Sequence, residues 1–203
     1  MNVYDQARML ANQVREQHGI NGAKLGIQYL RKIYKSEQIQ LIYWDQRFKS
    51  IKGAYINDEM GATVMVMKSL PNDPKAFTLA HELKHHLLDK GTCSTLEPGQ
   101  NADEREVAAE VFAAELLFPR ALFISELESR GIIKGDEYSC DDLKRAIIAI
   151  KRETGTSLSY AGLQKTAIFN GFDENNELAN TKWKVLEESI YGKPFWRAKA
   201  ASY

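Results

Sequence analysis

The chain has 203 residues, and its 27 Lys and Arg balance 27 Asp and Glu, so the formal net charge is zero. This balance argues against a protein that holds nucleic acid or an anionic membrane through bulk charge. The 2 cysteines, Cys93 and Cys140, do not form a disulfide framework, and no apolar run reaches the roughly 20 residues of a membrane span, so we expect a soluble, cytoplasmic protein.

The first part of the chain predicts two helices followed by short strands. Apolar residues at helical spacing predict helices over residues 3–17 and 22–34, after which the period changes. Runs of β-branched, aromatic and Met residues at 39–44, 50–57 and 62–68 are separated by polar turns. They predict three short strands in a small, mainly antiparallel sheet or meander.

The remainder of the chain predicts helices only. Asp73 is placed to cap a helix that has Pro74 at its first position and runs to about Asp89. Another helix begins near Ala102 and is stopped by Pro119. Further helices are predicted over residues 121–130, 141–153, 159–169 and the tail up to residue 190.

The stretch "FTLAHELKHH", residues 77–86, contains three of the chain's 4 histidines. Residues four apart lie on one face of a helix, so His81 and His85 can chelate one metal ion. Glu82 lies beside this pair, within reach of a water molecule at the ion. The H-E-x-x-H pattern is typical of zinc peptidases in which the glutamate is the general base. The alternative is two unrelated histidines, in the core or at the surface.

A third metal ligand is predicted on the helix "DEREVAAEVFAAELLFP". Glu106 extends the apolar stripe that contains Ala109, where a carboxylate is costly to bury unless it is paired or binds a cation. We therefore predict Glu106 as the ligand. Glu110, one turn further on, could orient a histidine, or be the ligand if the helix phase differs. Glu104 and Glu115 are interpreted as solvated charges.

Together these two helices resemble a known family. "FTLAHELKHHLL" followed by "EREVAAEVFAAELLFP" is similar to the paired motifs of the ImmA/IrrE metallo-endopeptidases, and the resemblance extends over residues 39–119. It implies a zinc ion (Zn2+) bound by His81, His85 and Glu106. It also implies that Glu82 is the catalytic residue.

The resemblance leads us to expect an α+β, zincin-like fold. A small, mainly antiparallel sheet would pack on the HExxH helix and the Glu-ligand helix, followed by a helical C-terminal portion. We place the metallopeptidase core at residues 1–130 and a helical extension, packed on the core, at residues 131–203. Two positions depart from the family pattern: Lys84 stands where Gly is frequent, at a helix position expected to be exposed, and Glu110 stands where Asn is common.

The predicted function is zinc-dependent hydrolysis of a peptide bond in a specific protein. Glu82 would take a proton from the attacking water and pass it to the leaving amine. His86 is expected to be structural or solvent-exposed, and Cys93 a bystander of the site. The donor to the oxyanion is left open, and the candidates by residue type alone are Tyr55, Tyr138, Tyr160 and His86.

The family suggests a helix-turn-helix transcriptional repressor as the substrate, which is an expectation by analogy. A second hypothesis is a zinc-binding sensor or sequestering partner of a repressor without turnover. A third is a DNA-binding regulator, because residues 141–172 have the shape of a helix-turn-helix. Asp141, Asp142, Glu153 and the zero net charge favour a solvated helical hairpin instead. No direct contact with nucleic acid or membrane is expected, and the oligomeric state is left open.

Overall fold

The computed structural model describes residues 2–45, 51–89 and 102–193. Within these ranges lie eight helices and three strands, which confirms the predicted α+β class. The helices are α1 (Val3–Gln17), α2 (Ile27–Ser36), α3 (Asn72–Leu88), α4 (Ala102–Leu117), α5 (Arg120–Glu128), α6 (Cys140–Thr154), α7 (Tyr160–Phe169) and α8 (Trp183–Tyr191). The strands are β1 (Gln40–Trp44), β2 (Gly53–Asp58) and β3 (Gly61–Met67). None of the described helices is long and apolar enough to cross a membrane.

Capping groups set the ends of several helices. The Asn2 side chain accepts a hydrogen bond of 2.8 Å from the Asp5 amide at the start of α1. At the start of α6, Ser139 and Asp142 exchange side-chain and backbone hydrogen bonds in a capping box. Gly155 ends α6 with a φ of 62°, a left-handed conformation that glycine adopts without a steric penalty.

The predicted cap of α3 is wrong. The helix begins at Asn72, after Pro71, and its N-cap makes no side-chain hydrogen bond to the backbone. The carboxylate of Asp73 instead accepts a hydrogen bond of 2.7 Å from Lys151 Nζ. Asp73 therefore links the first turn of α3 to α6, a contact between distant residues that local capping rules do not anticipate.

The sheet is mixed and is not a meander. Its strand order is β1-β3-β2, with β1 parallel and β2 antiparallel to β3. Ile42 of β1 pairs with Met65, and Tyr55 of β2 pairs with Val64. β3 lies at the centre, and its Val64 and Val66 are fully buried there, whereas β1 at the edge shows only partly buried and exposed positions.

Buried apolar side chains form two clusters. The first cluster joins α1, α2, the sheet, α3 and α4, and includes Ala11, Leu30, Val64, Leu83 and Phe112. The second cluster joins α5 to α8, and includes Phe123, Ile147, Leu163, Leu178 and Trp183. Phe77 of α3 packs against both. The division at residue 130 stays a prediction, because burial alone does not show that either part folds by itself.

A buried polar contact fastens α1 to the C-terminal end of α4. Arg15 donates to the carbonyl oxygens of Leu116, at 2.6 Å, and Gly22, at 2.7 Å. Glu115 is only 8% exposed, so its interpretation as a solvated charge is wrong. It accepts hydrogen bonds from Asn12 Nδ2 at 3.0 Å and from the Arg120 amide at 3.1 Å. Glu115 is buried by tertiary packing, because α1 lies over this face of α4.

Candidate metal centre

The structure brings the three predicted metal ligands together from two helices. His81 and His85 lie one turn apart on α3, and Glu106 lies on α4. His81 Nε2 lies 3.2 Å from His85 Nε2 and 3.1 Å from Glu106 Oε2. His85 Nε2 lies 3.3 Å from Glu106 Oε1. One ligand atom from each residue thus falls within a group no wider than 4.8 Å.

These separations fit a metal ion. An ion with tetrahedral bonds of about 2.0–2.1 Å holds its ligand atoms about 3.3 Å apart. Two imidazoles and one carboxylate are also the donor set of catalytic zinc sites that keep a fourth position open. The three residues could therefore hold a metal ion.

Glu106 lies at the rim of the site and not in the buried stripe of α4. Its side chain is 54% exposed, whereas the fully buried positions of the helix begin at Ala108. The expectation that Glu106 extends the buried stripe is therefore wrong. The hydrogen bond with His81 holds the pKa of Glu106 below its ordinary value, although partial burial opposes this shift. Solvent can therefore reach the site from the side of Glu106.

Glu82 faces inward beside the histidines and is only 5% exposed. Burial raises the pKa of Glu82 above its ordinary value, although the neighbouring His81 and His85 act in the opposite direction. The backbone of β2 lies against its side chain at Gly53. A Cβ atom at Gly53 would lie 2.6 Å from Glu82 Oε1 and 2.4 Å from Thr78 Cγ2. Glycine at this position is what allows the sheet to approach Glu82.

Asp89 orients His85, and the sequence analysis did not identify it. Asp89 Oδ2 lies 2.7 Å from His85 Nδ1. A carboxylate in this place fixes the proton on Nδ1 and leaves the lone pair of Nε2 free for a metal ion. Although burial opposes it, hydrogen bonding from His85 and Lys84 lowers the pKa of Asp89. The spacing of four residues from His85 is a signal in the sequence that could have identified Asp89.

Glu110 does not take either of the roles left open for it. Its carboxylate lies 3.1 Å from Lys165 Nζ of α7, and its side chain is half-exposed. Asp89 is the carboxylate that lies against His85 Nδ1, and Glu106 is the one that joins the ligand group. The side chain of Glu110 thus turns toward Lys165 of α7.

Lys84 is buried, contrary to the expectation of an exposed helix position. It is 1% exposed. Its Nζ donates to Asp89 Oδ2 at 2.8 Å and to the Arg105 carbonyl oxygen at 3.2 Å. The expectation failed because α4 covers this face of α3, and neither the period of α3 nor the motif predicts which helix lies above it.

The candidate oxyanion donors have other contacts in the described structure. The rings of Tyr55 and His86 meet edge to face with centroids 5.6 Å apart, and both residues are buried. His86 is thus structural and not solvent-exposed. Tyr138 donates to the Phe172 carbonyl oxygen at 2.9 Å, and the Tyr160 ring stacks on Trp183. Cys93 lies outside the described residues.

Two larger clefts are lined mainly, but not entirely, by residues of the C-terminal half of the chain. One, of about 780 Å³, is lined by residues that include Arg130 and Glu153. The other, of about 770 Å³, lies at the first turn of α3 beside Tyr160 and Trp183. Neither cleft is lined by a predicted metal ligand, so the possible metal site is separate from both.

A mixed sheet against a helix that carries H-E-x-x-H, with a glutamate supplied by the next helix, defines a zincin-like class of α+β protein. Residues 23–159 match the family described as the IrrE N-terminal-like domain, peptidase family M78. The chain belongs to this family, and the resemblance seen in its two motifs is confirmed. The family is one of metallopeptidases, which is the activity it suggests for this chain. A search of curated proteins found no match.

Proposed function

We propose that the protein is a zinc-dependent endopeptidase that cleaves a peptide bond in a specific protein substrate. The observation that carries the proposal is the position of Glu82, buried in α3 between two histidines whose Nε2 atoms converge on Glu106. In this arrangement a general base lies beside a group of atoms that fits a metal ion. The donor set of two imidazoles and one carboxylate favours Zn2+.

When bound, a zinc ion polarises a carbonyl group and lowers the pKa of a water molecule. Glu82 takes the proton from the water that attacks the peptide carbonyl. Burial has already raised the pKa of Glu82, which brings the carboxylate closer to the range in which it can both accept and release a proton. Glu82 then transfers this proton to the nitrogen of the leaving amine.

The peptide would approach along the rim of the site. Glu106 is half-exposed and His81 is partly exposed, so the outer side of the ligand group faces solvent. β2 lies at one edge of the described sheet and touches Glu82 at Gly53. An extended peptide can pair with such an edge through its backbone, which would hold the scissile bond close to Glu82.

The substrate we propose is a helix-turn-helix transcriptional repressor in the cytoplasm, by analogy with the family. The basic residues of the hairpin formed by α6 and α7 do not favour DNA as the partner. Four of the hairpin's five basic residues, all except Arg145, are matched by acidic side chains in the ion pairs Lys144–Asp141, Lys151–Asp73, Arg152–Glu187 and Lys165–Glu110. Sequestration of a repressor without cleavage remains the second candidate.

The test is to mix the zinc-loaded protein with a helix-turn-helix repressor encoded beside it and to follow the repressor's intact mass. Glu82→Gln should keep zinc and lose cleavage by about 10²–10⁴-fold, the usual contribution of a general base. Glu110→Gln is the matched control, because this glutamate lies on α4 but contacts Lys165 and not the ligand group. It should cleave as wild type does.

Each outcome separates the candidates. One discrete cut, absent with Glu82→Gln, supports the peptidase and gives the scissile bond. A repressor that binds but stays whole, with equal binding by Glu82→Gln, supports sequestration. Cleavage by Glu82→Gln at the rate of wild type would contradict the role given to Glu82.

A further inference from the structure

Lys84 is a buried cation that the proposed mechanism does not use. Its side chain is 2% exposed, on the helix that carries His81 and His85. Burying an ammonium group is costly unless hydrogen bonds replace its water, and Lys84 has two such bonds. Each bond connects Lys84 to the predicted metal ligands through a different residue, and the two connections are called the first and the second route.

The first route passes through Asp89. One oxygen, Asp89 Oδ2, accepts a hydrogen bond of 2.8 Å from Lys84 Nζ and lies 2.7 Å from His85 Nδ1. Because Lys84 and His85 share this oxygen, the lysine limits the positions that the carboxylate can take. The orientation of the His85 ring depends on that carboxylate.

The second route passes through the backbone of α4. Lys84 Nζ donates to the carbonyl oxygen of Arg105 at 3.2 Å, and Arg105 directly precedes Glu106. One ammonium group therefore joins the helix of the two histidines to the turn of α4 that carries the third predicted ligand.

We propose that Lys84 is a positioning residue of the metal centre, which holds Asp89 against His85 and the first turn of α4 against α3. The inference rests on the metal centre of the proposed function. Through these two contacts Lys84 keeps His81, His85 and Glu106 assembled before a metal ion arrives, so that binding does not have to order them.

Charge alone predicts the opposite effect. A fixed positive charge near a divalent cation repels it, so removing the charge would strengthen metal binding. Removing a group that positions a ligand weakens metal binding, typically by about 10–100-fold. The sign of the change in zinc affinity therefore distinguishes the positioning role from a merely electrostatic one.

The experiment measures the zinc dissociation constant of the full chain by competition with a chromogenic chelator. Lys84→Met keeps an unbranched side chain as far as the Cε position and removes the ammonium group with both its hydrogen bonds, and we expect zinc affinity to fall by about 10–100-fold. Lys151→Met is the matched control. That lysine is also mostly buried and also pairs with an aspartate, Asp73, but it lies away from the ligand group. Its loss should leave zinc affinity unchanged.

Two further measurements keep the inference testable if Lys84→Met folds poorly. Lys84→Gln retains a donor and should lose less affinity, and its Co2+ absorption spectrum should report an altered ligand geometry. In an Asp89→Asn background, Lys84→Met should lower zinc affinity much less than it does in wild type, because the first route, through Asp89, is already broken.

Unchanged or tighter zinc binding by Lys84→Met would overturn the inference, as would an equal loss in Lys151→Met. Failure of the proposed function looks different. Wild type would then bind no zinc, or would bind zinc and cleave nothing, whatever residue is placed at position 84.

Discussion

The two hydrophobic clusters differ in the polar side chains that are buried beside them. Around the first cluster the buried polar residues are mostly charged or titratable, and they include Glu82, Lys84, His85 and His86. Beside the second cluster the described structure buries Thr156, Asn170 and Asp173, and Asp173 accepts backbone hydrogen bonds from Glu177 and Leu178. Burial thus has two effects. Beside the first cluster it changes the electrostatics of ionisable side chains, and beside the second cluster it only excludes water.

This difference indicates where function is concentrated. Ionisable groups are costly to bury, so a cluster of them needs partners that share the desolvation cost. On α3 those partners are one another, together with Glu106 and Asp89. Perturbed ionisable groups that share a site are typical of catalytic centres, whereas an apolar cluster with a few satisfied polar groups is typical of a structural core.

The largest expected effect separates stability from metal binding. Phe123→Ala removes a fully buried ring of the second cluster and should lower the free energy of unfolding by about 3–5 kcal/mol. Zinc affinity should not change. Leu83→Ala, in the first cluster between the two histidines, should lower both stability and zinc affinity. Denaturant titration and chelator competition measure the two quantities, and a drop in zinc affinity with Phe123→Ala would break the comparison.

Gly53→Ala should impair catalysis while the protein still binds metal. The new Cβ would lie 2.6 Å from Glu82 Oε1, so the carboxylate or the strand has to move. A displacement of this order can lower kcat by about 10²-fold. The measurements are kcat on a cleaved substrate and the zinc dissociation constant. Gly61→Ala is a poor control because of its positive φ, and Gly22→Ala, with open space at its Cβ, is the better one.

Zinc should protect the two regions unequally. A ligand at 100 times its dissociation constant stabilises the state that binds it by about 2.7 kcal/mol. Hydrogen exchange followed by mass spectrometry should show slower exchange in α3 and α4 on zinc addition, and no change in the α6 amides that exchange by local opening. Equal slowing in α6 would mean that both regions open only as one unit.

The smallest expected effects are at the helix caps, where the two regions should behave alike. Asn2→Ala and Ser139→Ala each remove one side-chain cap, and each should cost about 1 kcal/mol. Hydrogen bonds from Ser139 lower the pKa of Asp142. Its contribution to stability is thus present above the ordinary pKa of an aspartate and is lost as the pH falls through the lowered value. In Ser139→Ala the acid side of the pH–stability curve should be flatter.

The sequence predicted best what depends on near neighbours. Helix α6 was predicted over residues 141–153 and spans Cys140–Thr154, because its apolar period and its capping residues agree. The spacing of His81 and His85 was sufficient to place their Nε2 atoms together. Both features are fixed within one or two helical turns, so no information about the rest of the fold was needed.

What was missed depends on contacts between distant segments. Lys84 is buried because α4 covers it, and Glu115 is buried because α1 packs over it. The central place of β3 follows from strand pairing, which the composition of each strand alone does not encode. Asp89 is an exception, since its position one turn after His85 was visible in the sequence.

The strand order β1-β3-β2 has a consequence for synthesis in the cell. A chain leaves the ribosome from its N-terminus at about 5–20 residues per second. β1 and β2 emerge first, yet each of them pairs only with β3 in the described sheet. Neither early strand can complete its backbone hydrogen bonds until Met67 has emerged, and α3 follows within a few residues. The sheet and the helix that carries the histidines therefore become available for docking almost at the same moment.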